Sequence, residues 1–261
     1  MNVGIIGLGK MGEAIAKGLM NSKGYRVYFN ESDGKRCKEI TDKYRRLKYL
    51  DIEQLIDSSS AIILAVKPQD LKELLNKIGR VLKRDKLFIS IAAGVSINFV
   101  QNEGSLEKVV RAMPNMGALV GESFTALAYS EKVSNRELEL AKKIFANIGD
   151  VEVLKENLID AVTAISGSGP AYFAYFLKAI EESAAEVGLE DISSKIALDT
   201  LEGVLKVLKG LDISTDELIE MVKSPGGTTE ACLDYWQQSD LSGIIKEGIK
   251  KAINKAKELG K

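Results

Sequence analysis

The sequence predicts an α/β N-terminal domain, built on a doubly wound and mostly parallel sheet, followed by an all-α C-terminal domain. Three observations carry this. Through about residue 157, short runs rich in β-branched and aromatic side chains alternate with helical patterns, which is how a parallel α/β sheet reads. Beyond that point the strand signal stops and only helical patterns remain. The chain also opens with a strand that runs through a cluster of glycines into a helix. A length of 261 residues suits two domains, at about 100–200 residues each, and the change of pattern divides them into 1–157 and 158–261.

In chain order, the first strand is predicted at 2–7 and the helix after it at 13–20. Strands follow at 26–30, 61–66, 87–91, 108–112 and 125–129, with 151–154 as a last edge strand. Helical patterns fill 69–82 and 135–148. In the second domain 158–187, 193–208, 215–222, 228–237 and 241–259 all read as helices. The stretch 161–177 is apolar almost all the way round, and a helix of that kind must be buried, inside its own domain or against another subunit. Residues 171–177 and 196–208 present more apolar surface than so small a domain buries alone, which predicts a homodimer, or a larger oligomer of dimers, assembled through 158–261. The four prolines, Pro68, Pro114, Pro170 and Pro225, each stand at the end of an element, where a fixed φ stiffens a turn.

Composition narrows the function. Lys and Arg number 36 against 37 Asp and Glu, a net charge of −1, which argues against a nucleic-acid or membrane partner, since both normally leave a basic excess. No leader segment is recognisable at Met1, and the apolar runs at 61–66 and 171–177 fall far short of the roughly 20 residues that span a bilayer. Two cysteines, Cys37 and Cys232, are too few for a disulfide framework or a zinc site and read as reduced thiols of a cytoplasmic protein. There is no histidine, so the commonest acid/base and the commonest metal ligand are both missing. No metal site is expected, and proton transfer is left to a hydroxyl, a carboxylate, a lysine or water.

The opening glycines carry the first chemistry. Gly7-Leu8-Gly9-Lys10-Met11-Gly12 is G-x-G-x-x-G between a strand and a helix. The first glycine permits the tight turn, the second lets the backbone approach a pyrophosphate, and the third allows close helix–strand packing. The phosphates then meet free N–H groups and the positive end of the helix. Such a motif alone is weak evidence. At the start of a run of βα units it predicts a Rossmann domain that binds a nicotinamide dinucleotide.

Which dinucleotide is read from the end of the second strand. An NAD enzyme usually places Asp or Glu there for the ribose 2′-hydroxyl, and Asn30 holds that position here. Ser32, Lys35 and Arg36 are placed to meet a 2′-phosphate, while Glu31 would repel one. The balance predicts NADPH, with NADH as the alternative. The other loops at the carboxyl ends of the strands complete the predicted site: Ala65-Val66-Lys67-Pro68, Ala92-Ala93-Gly94 and Asn115 after Met113-Pro114. The small residues at 92–94 let a nicotinamide ring lie against the backbone. Lys67 is a candidate catalytic lysine, although a lysine after a strand is more often solvated.

Two segments of the helical domain are too glycine-rich for plain helices, 165–172 and 222–231. In the second, Ser224-Pro225-Gly226-Gly227-Thr228-Thr229 leads a turn into a helix and leaves backbone N–H groups and two hydroxyls at its start. That suits a carboxylate, and it is also how an elaborate cap and turn would read.

The chain resembles the pyrroline-5-carboxylate reductases, which make L-proline by reducing a cyclic imine. The likeness runs over essentially the whole length. It rests on the opening glycines, 65–68, 92–94, 113–115, Ser166-Gly167-Ser168-Gly169-Pro170-Ala171-Tyr172, and above all 224–229, the family's signature. Met116-Gly117 and Met221 depart from the family's usual residues. The resemblance implies hydride transfer from NAD(P)H to the ring C=N bond, with Thr229 hydrogen-bonding the ring nitrogen. It further implies that Ser224, Gly226, Gly227 and Thr228 hold the substrate, the carboxylate on backbone N–H groups around Gly227 and Thr228, and that the enzyme is a homodimer. Two rivals are weighed. A β-hydroxyacid dehydrogenase shares this architecture but needs a lysine four residues after its glycine cluster, where this chain has Phe173, with Lys178 the next lysine. A dinucleotide sensor without catalysis has no need of both intact motifs.

Overall fold

The computed structural model describes residues 1–82 and 86–259; positions 83–85 and 260–261, which belong to the two predicted domains, lie outside it. The chain separates into two compact units, one of Met1–Pro170 with the end of the chain from Ala252, the other Ala171–Lys251.

The first unit is built on one sheet. Its strands are β1 (Asn2–Ile6), β2 (Arg26–Asn30), β3 (Lys48–Tyr49), β4 (Ala61–Leu64), β5 (Leu87–Ser90), β6 (Val109–Met113), β7 (Ser123–Tyr129) and β8 (Gly149–Val153). They lie in the order β3-β2-β1-β4-β5-β6-β7-β8. Among the described residues only β7 runs against its neighbour β6; the other pairs are parallel. Strand order reverses at β1, the doubly wound arrangement the sequence predicts.

Period-2 alternation divides the apolar residues between two faces. Val3, Ile5, Ala61, Ile63, Leu87 and Ile89 point into one core, together with helices α1 (Lys10–Asn21), α2 (Gly34–Lys43) and α6 (Asn135–Phe145). Ile6, Ile62, Leu64 and Phe88 point into the other, covered by α3 (Ile52–Ser58), α4 (Pro68–Val81), α5 (Ile97–Gly104) and α7 (Ile159–Val162). Because both faces are covered, the central strands are apolar throughout rather than alternating. Helix α4 shows how the sequence dictates its packing. Pro68 occupies its first turn, and Leu71, Leu74, Leu75 and Ile78 are all buried, the spacing of one helical stripe. Burying each of these four stabilises the fold by roughly 1.5–3 kcal/mol.

The second unit is helical: α8 (Gly169–Glu186), α9 (Ser193–Leu211), α10 (Thr215–Val222), α11 (Thr228–Gln238) and most of α12 (Leu241–Leu259). A T-shaped contact of Phe176 with Trp236, centroids 6.0 Å apart, joins α8 to α11. Of residues 171–251, Ala197 alone is buried. Phe173 is 66% and Tyr175 77% exposed within the single chain. Of the two ways the sequence allowed the apolar helix to be covered, burial inside its own unit is not what the chain does.

The segment from 158 is also not one uninterrupted helix. Between α7 and α8, Thr163–Gly167 forms a π-helical turn, closed by Ser168 N–H to Thr163 O at 3.0 Å. This is the glycine- and serine-rich stretch that the sequence marks as unsuited to a plain helix, and π-turns of this kind collect at functional positions.

Candidate active site

At the carboxyl end of β1 the backbone turns sharply. Gly7 has φ +90°, and a Cβ there would stand 2.8 Å from Ala65 O. A Cβ on Gly12 would come within 2.3 Å of Gly7 O, whereas one on Gly9 would meet nothing within 4 Å. Gly7 and Gly12 are therefore required by the protein itself. Gly9 is not, and the space over it is open. Gly9 is also the N-cap of α1, which has no side-chain cap, so the N–H groups of Lys10, Met11 and Gly12 begin the helix unclaimed by a cap. Leu8 is fully buried and anchors the loop. An uncapped helix start beneath open space, with a backbone that a side chain would block, fits a pyrophosphate.

The end of β2 departs from the sequence reading in detail. Asn30 gives its side-chain amide to Leu50 O at 2.9 Å and to the Tyr49 hydroxyl at 3.4 Å, tying β2 to the β3 edge. Glu31, one residue on, turns to the glycine loop: Oε2 accepts the Leu8 N–H at 2.8 Å. Its Oε1 accepts the Asp33 N–H at 3.0 Å and the Ser32 hydroxyl at 3.5 Å. Arg36 clamps the other side of the same residue, Nε donating to Leu8 O at 3.0 Å, and its guanidinium is paired with Glu13. Burial pushes the Glu13 carboxyl up, but hydrogen bonds from Lys43, Tyr44 and Arg36 overrule that and hold it at about 2. This buttress joining α1 to α2 was not read from the sequence, because its members are spread over 31 residues and form no motif.

The remaining predicted cofactor residues lie at the carboxyl ends of adjacent parallel strands. Ala65 and Val66 are half-buried after β4, and Lys67 is the exposed N-cap of α4 before Pro68. Ala92 is buried, Ala93 half-buried and Gly94 has φ +75° after β5. Asn115 follows β6; its Nδ2 donates to Ser166 Oγ at 3.0 Å and its Oδ1 accepts the Gly117 N–H at 3.0 Å. Gly167 lies so close to Met113 that a Cβ would be 2.7 Å from Cε. The π-turn is thus fastened to the loop after β6. A cavity of about 330 Å³ opens at the switch point beside Gly7, Asn30, Glu31, Ser32 and Val66. A larger hollow of about 570 Å³ near Met1, Ser60 and Arg136 is at the amino ends of the strands, away from the end where α/β sheets bind ligands.

In the helical unit, the 224–229 segment is a preset turn. Gly226 has φ +72°. The Gly227 N–H donates to Ser224 O at 2.9 Å, and a Cβ on Gly227 would be 2.4 Å from Ser224 Oγ. Glu230, not singled out from the sequence, accepts the Gly226 N–H at 2.7 Å and so braces the turn. Gly227 is the N-cap of α11, and no side chain caps this helix. The hydroxyls of Thr228 and Thr229 therefore do not serve as caps. Thr228 is exposed and Thr229 half-buried, with the first N–H groups of α11 around them. The start of α11 thus has main-chain N–H groups that no side chain caps, beside two threonines. Lys178, the next lysine after Phe173, where a β-hydroxyacid dehydrogenase would need one, is exposed and pairs with Glu182 at 3.5 Å.

Comparison with known proteins agrees with this geometry. Residues 156–259 match the family model described as pyrroline-5-carboxylate reductase dimerisation, and 2–94 match that of the coenzyme F420-dependent NADP oxidoreductases. The pyrroline-5-carboxylate reductase of Synechocystis is 36% identical over 100% of this chain and 99% of its own length. That of Aquifex aeolicus is 34% identical over 99% and 97%. Among solved structures, a pyrroline-5-carboxylate reductase from Coxiella burnetii superposes with a TM-score of 0.91 at 28% identity, covering 100% of this chain and 98% of that one. The Plasmodium falciparum pyrroline carboxylate reductase with NADP bound gives 0.89 at 29% identity, with the same coverage. With full-length relatives above 30% identity and the dimerisation module in place, the chain belongs to the pyrroline-5-carboxylate reductase family.

Proposed function

We propose that this protein reduces 1-pyrroline-5-carboxylate to L-proline with NAD(P)H, holding the substrate on residues 224–229 and using Thr229 at the ring nitrogen. The observation that carries the assignment of roles is the start of α11: no side chain caps it, and a half-buried threonine hydroxyl stands beside its first N–H groups. The substrate has a carboxylate one bond from the carbon that bears the imine nitrogen. A carboxylate held by the N–H groups around Gly227 and Thr228 leaves that nitrogen within reach of the next hydroxyl, Thr229. Ser224 and Gly226 keep the turn in shape. The glycine loop 7–12, with 65–68, 92–94 and Asn115, holds the dinucleotide, and Asn30 and Ser32 border its ribose.

When bound, the reduced nicotinamide supplies the hydride. The electron pair arrives at C2, the imine carbon, the C=N bond becomes a C–N single bond, and the nitrogen keeps or gains one proton. Such an imine takes that proton from water near neutral pH, so the protein needs no strong acid, in keeping with a chain that has no histidine. What the protein contributes is orientation and a fixed dipole at the nitrogen.

The working form is a homodimer. A helical unit with one buried residue in 171–251 cannot offset its own conformational entropy, and the dimerisation module spans these helices. We assign 1–157 to the dinucleotide and 158–261 to substrate and partner subunit. We also place the enzyme in the cytoplasm, where the free thiols Cys37 and Cys232 stay reduced. The direct test is product analysis: pyrroline-5-carboxylate with NAD(P)H should give one proline per dinucleotide oxidised. Oxidation of a 3-hydroxyacid by NAD(P)⁺ with no proline formed would replace this reading by the β-hydroxyacid dehydrogenase one.

A further inference from the structure

The rim of the cavity beside the glycine loop is acidic where the sequence balance called for a phosphate pocket. Glu31 lies on it, with Asp70 and Glu73 from α4. Among the described residues that line it the one cation is Lys77, which is paired with Glu73 at 2.7 Å. Arg36, the strongest candidate for a 2′-phosphate, is committed elsewhere, to Leu8 O and to Glu13. Lys35 remains on the exposed start of α2, where Asp33 caps the helix. The Glu31 carboxylate is fixed rather than free, held by the main-chain N–H groups of Leu8 and Asp33 at 2.8 and 3.0 Å.

We propose that Glu31 is the residue by which this enzyme chooses its dinucleotide, accepting the 2′-hydroxyl of NADH and turning away the 2′-phosphate of NADPH. The inference rests on the assignment of residues 7–12 as the dinucleotide loop. A carboxylate has about four lone-pair sites, so Glu31 retains one acceptor site after its bonds to Leu8, Ser32 and Asp33. A 2′-phosphate carries close to two negative charges and has acceptor oxygens only, so against Glu31 it meets repulsion and no donor. The acidic position of an NAD-type site is thus filled one residue later than strand counting from Asn30 suggests.

The test is equilibrium binding without substrate, following nicotinamide fluorescence as NADH or NADPH is titrated into the dimer. The parent should bind NADH roughly tenfold or more tightly than NADPH. Glu31→Gln keeps an oxygen for the Leu8 N–H and removes the charge, so it should narrow the ratio by strengthening NADPH. Glu31→Arg should invert it. Circular dichroism and dimer mass of each variant show whether its fold is intact. Equal or tighter binding of NADPH by the parent, or a ratio unmoved in folded Glu31→Gln, overturns the proposal. If neither dinucleotide binds the parent, the assignment of the glycine loop itself falls, and the proposal with it.

Discussion

A methyl group on Gly12 would stand 2.3 Å from the carbonyl oxygen of Gly7, so helix α1 can cross the end of β1 only where residue 12 has no side chain. Gly9, between them, has no such neighbour within 4 Å and has φ −63°, ψ −173°, a conformation any residue adopts. The fold requires glycine at position 12 and not at position 9, where the proposed dinucleotide would require it.

Substitution separates them. Gly12→Ala should destabilise the protein by about 1–3 kcal/mol through overpacking and lose dinucleotide binding with it. Gly9→Ala should melt within about a degree of the parent, since its new methyl enters open space, yet weaken dinucleotide binding by roughly tenfold or more as that methyl meets the pyrophosphate. Thermal melts and fluorescence titrations on both variants decide this. Parent affinity in a folded Gly9→Ala would mean that no phosphate approaches there.

The Glu13 buttress gives a pH signature. Its carboxyl is held at about 2 against an ordinary 4.5, so its contribution is full above the unfolded value and fades as pH falls from about 4.5 towards 2. Glu13→Gln should cost about 1.5–3 kcal/mol at neutral pH, by loss of charge-assisted hydrogen bonds, with a drop in Tm on the order of 5 °C. That difference should shrink steadily below pH 4.5. A constant difference down to pH 2.5 would mean that the charge is not what holds α1 to α2.

Assembly should fail when charge is placed on the exposed apolar surface of α8. Phe173→Asp with Tyr175→Asp should shift the protein from dimer to monomer in light scattering and abolish turnover, because residues 171–251 bury almost nothing alone. An active monomer would contradict the dimeric account.

Lys178 offers a control against the rival chemistry. It is exposed and paired only along its own helix, a kind of pair worth about 0.3–0.5 kcal/mol. Lys178→Ala should keep kcat within about twofold of the parent. A loss of several orders of magnitude would restore a lysine-dependent mechanism.

Legibility from the sequence followed the physics of each part. Strands β1, β4 and β5 were readable because both their faces are buried and their apolar runs are continuous. The glycine loop was readable because Gly7 and Gly12 answer to sterics that no other residue satisfies. By contrast β3 is two exposed residues, Lys48 and Tyr49, and α2 buries only Ile40, so neither leaves a periodic trace. The π-turn was visible as a misfit of Ser166 to Gly169 with a helix, but its form depends on Asn115 reaching Ser166, a contact 51 residues apart in the chain. At the end of β2 the sequence named both Asn30 and Glu31. Which of them faces the glycine loop was decided by the Leu50 carbonyl on the sheet edge, a tertiary partner that local sequence does not reveal.

Thr229 tests the account most directly. Thr229→Val preserves the shape and removes only the hydroxyl, and a lost hydrogen bond to developing charge costs about 1.5–3 kcal/mol, roughly 10- to 150-fold in rate. Since α11 is capped by no side chain, its stability should not change. The measurement is kcat/KM for pyrroline-5-carboxylate in parent, Thr229→Ser and Thr229→Val, beside the Kd of each for the dinucleotide. The account predicts near-parent activity for serine, a loss in that range for valine, and an unchanged Kd. Valine turning over at the parent rate would contradict it and leave water alone at the ring nitrogen.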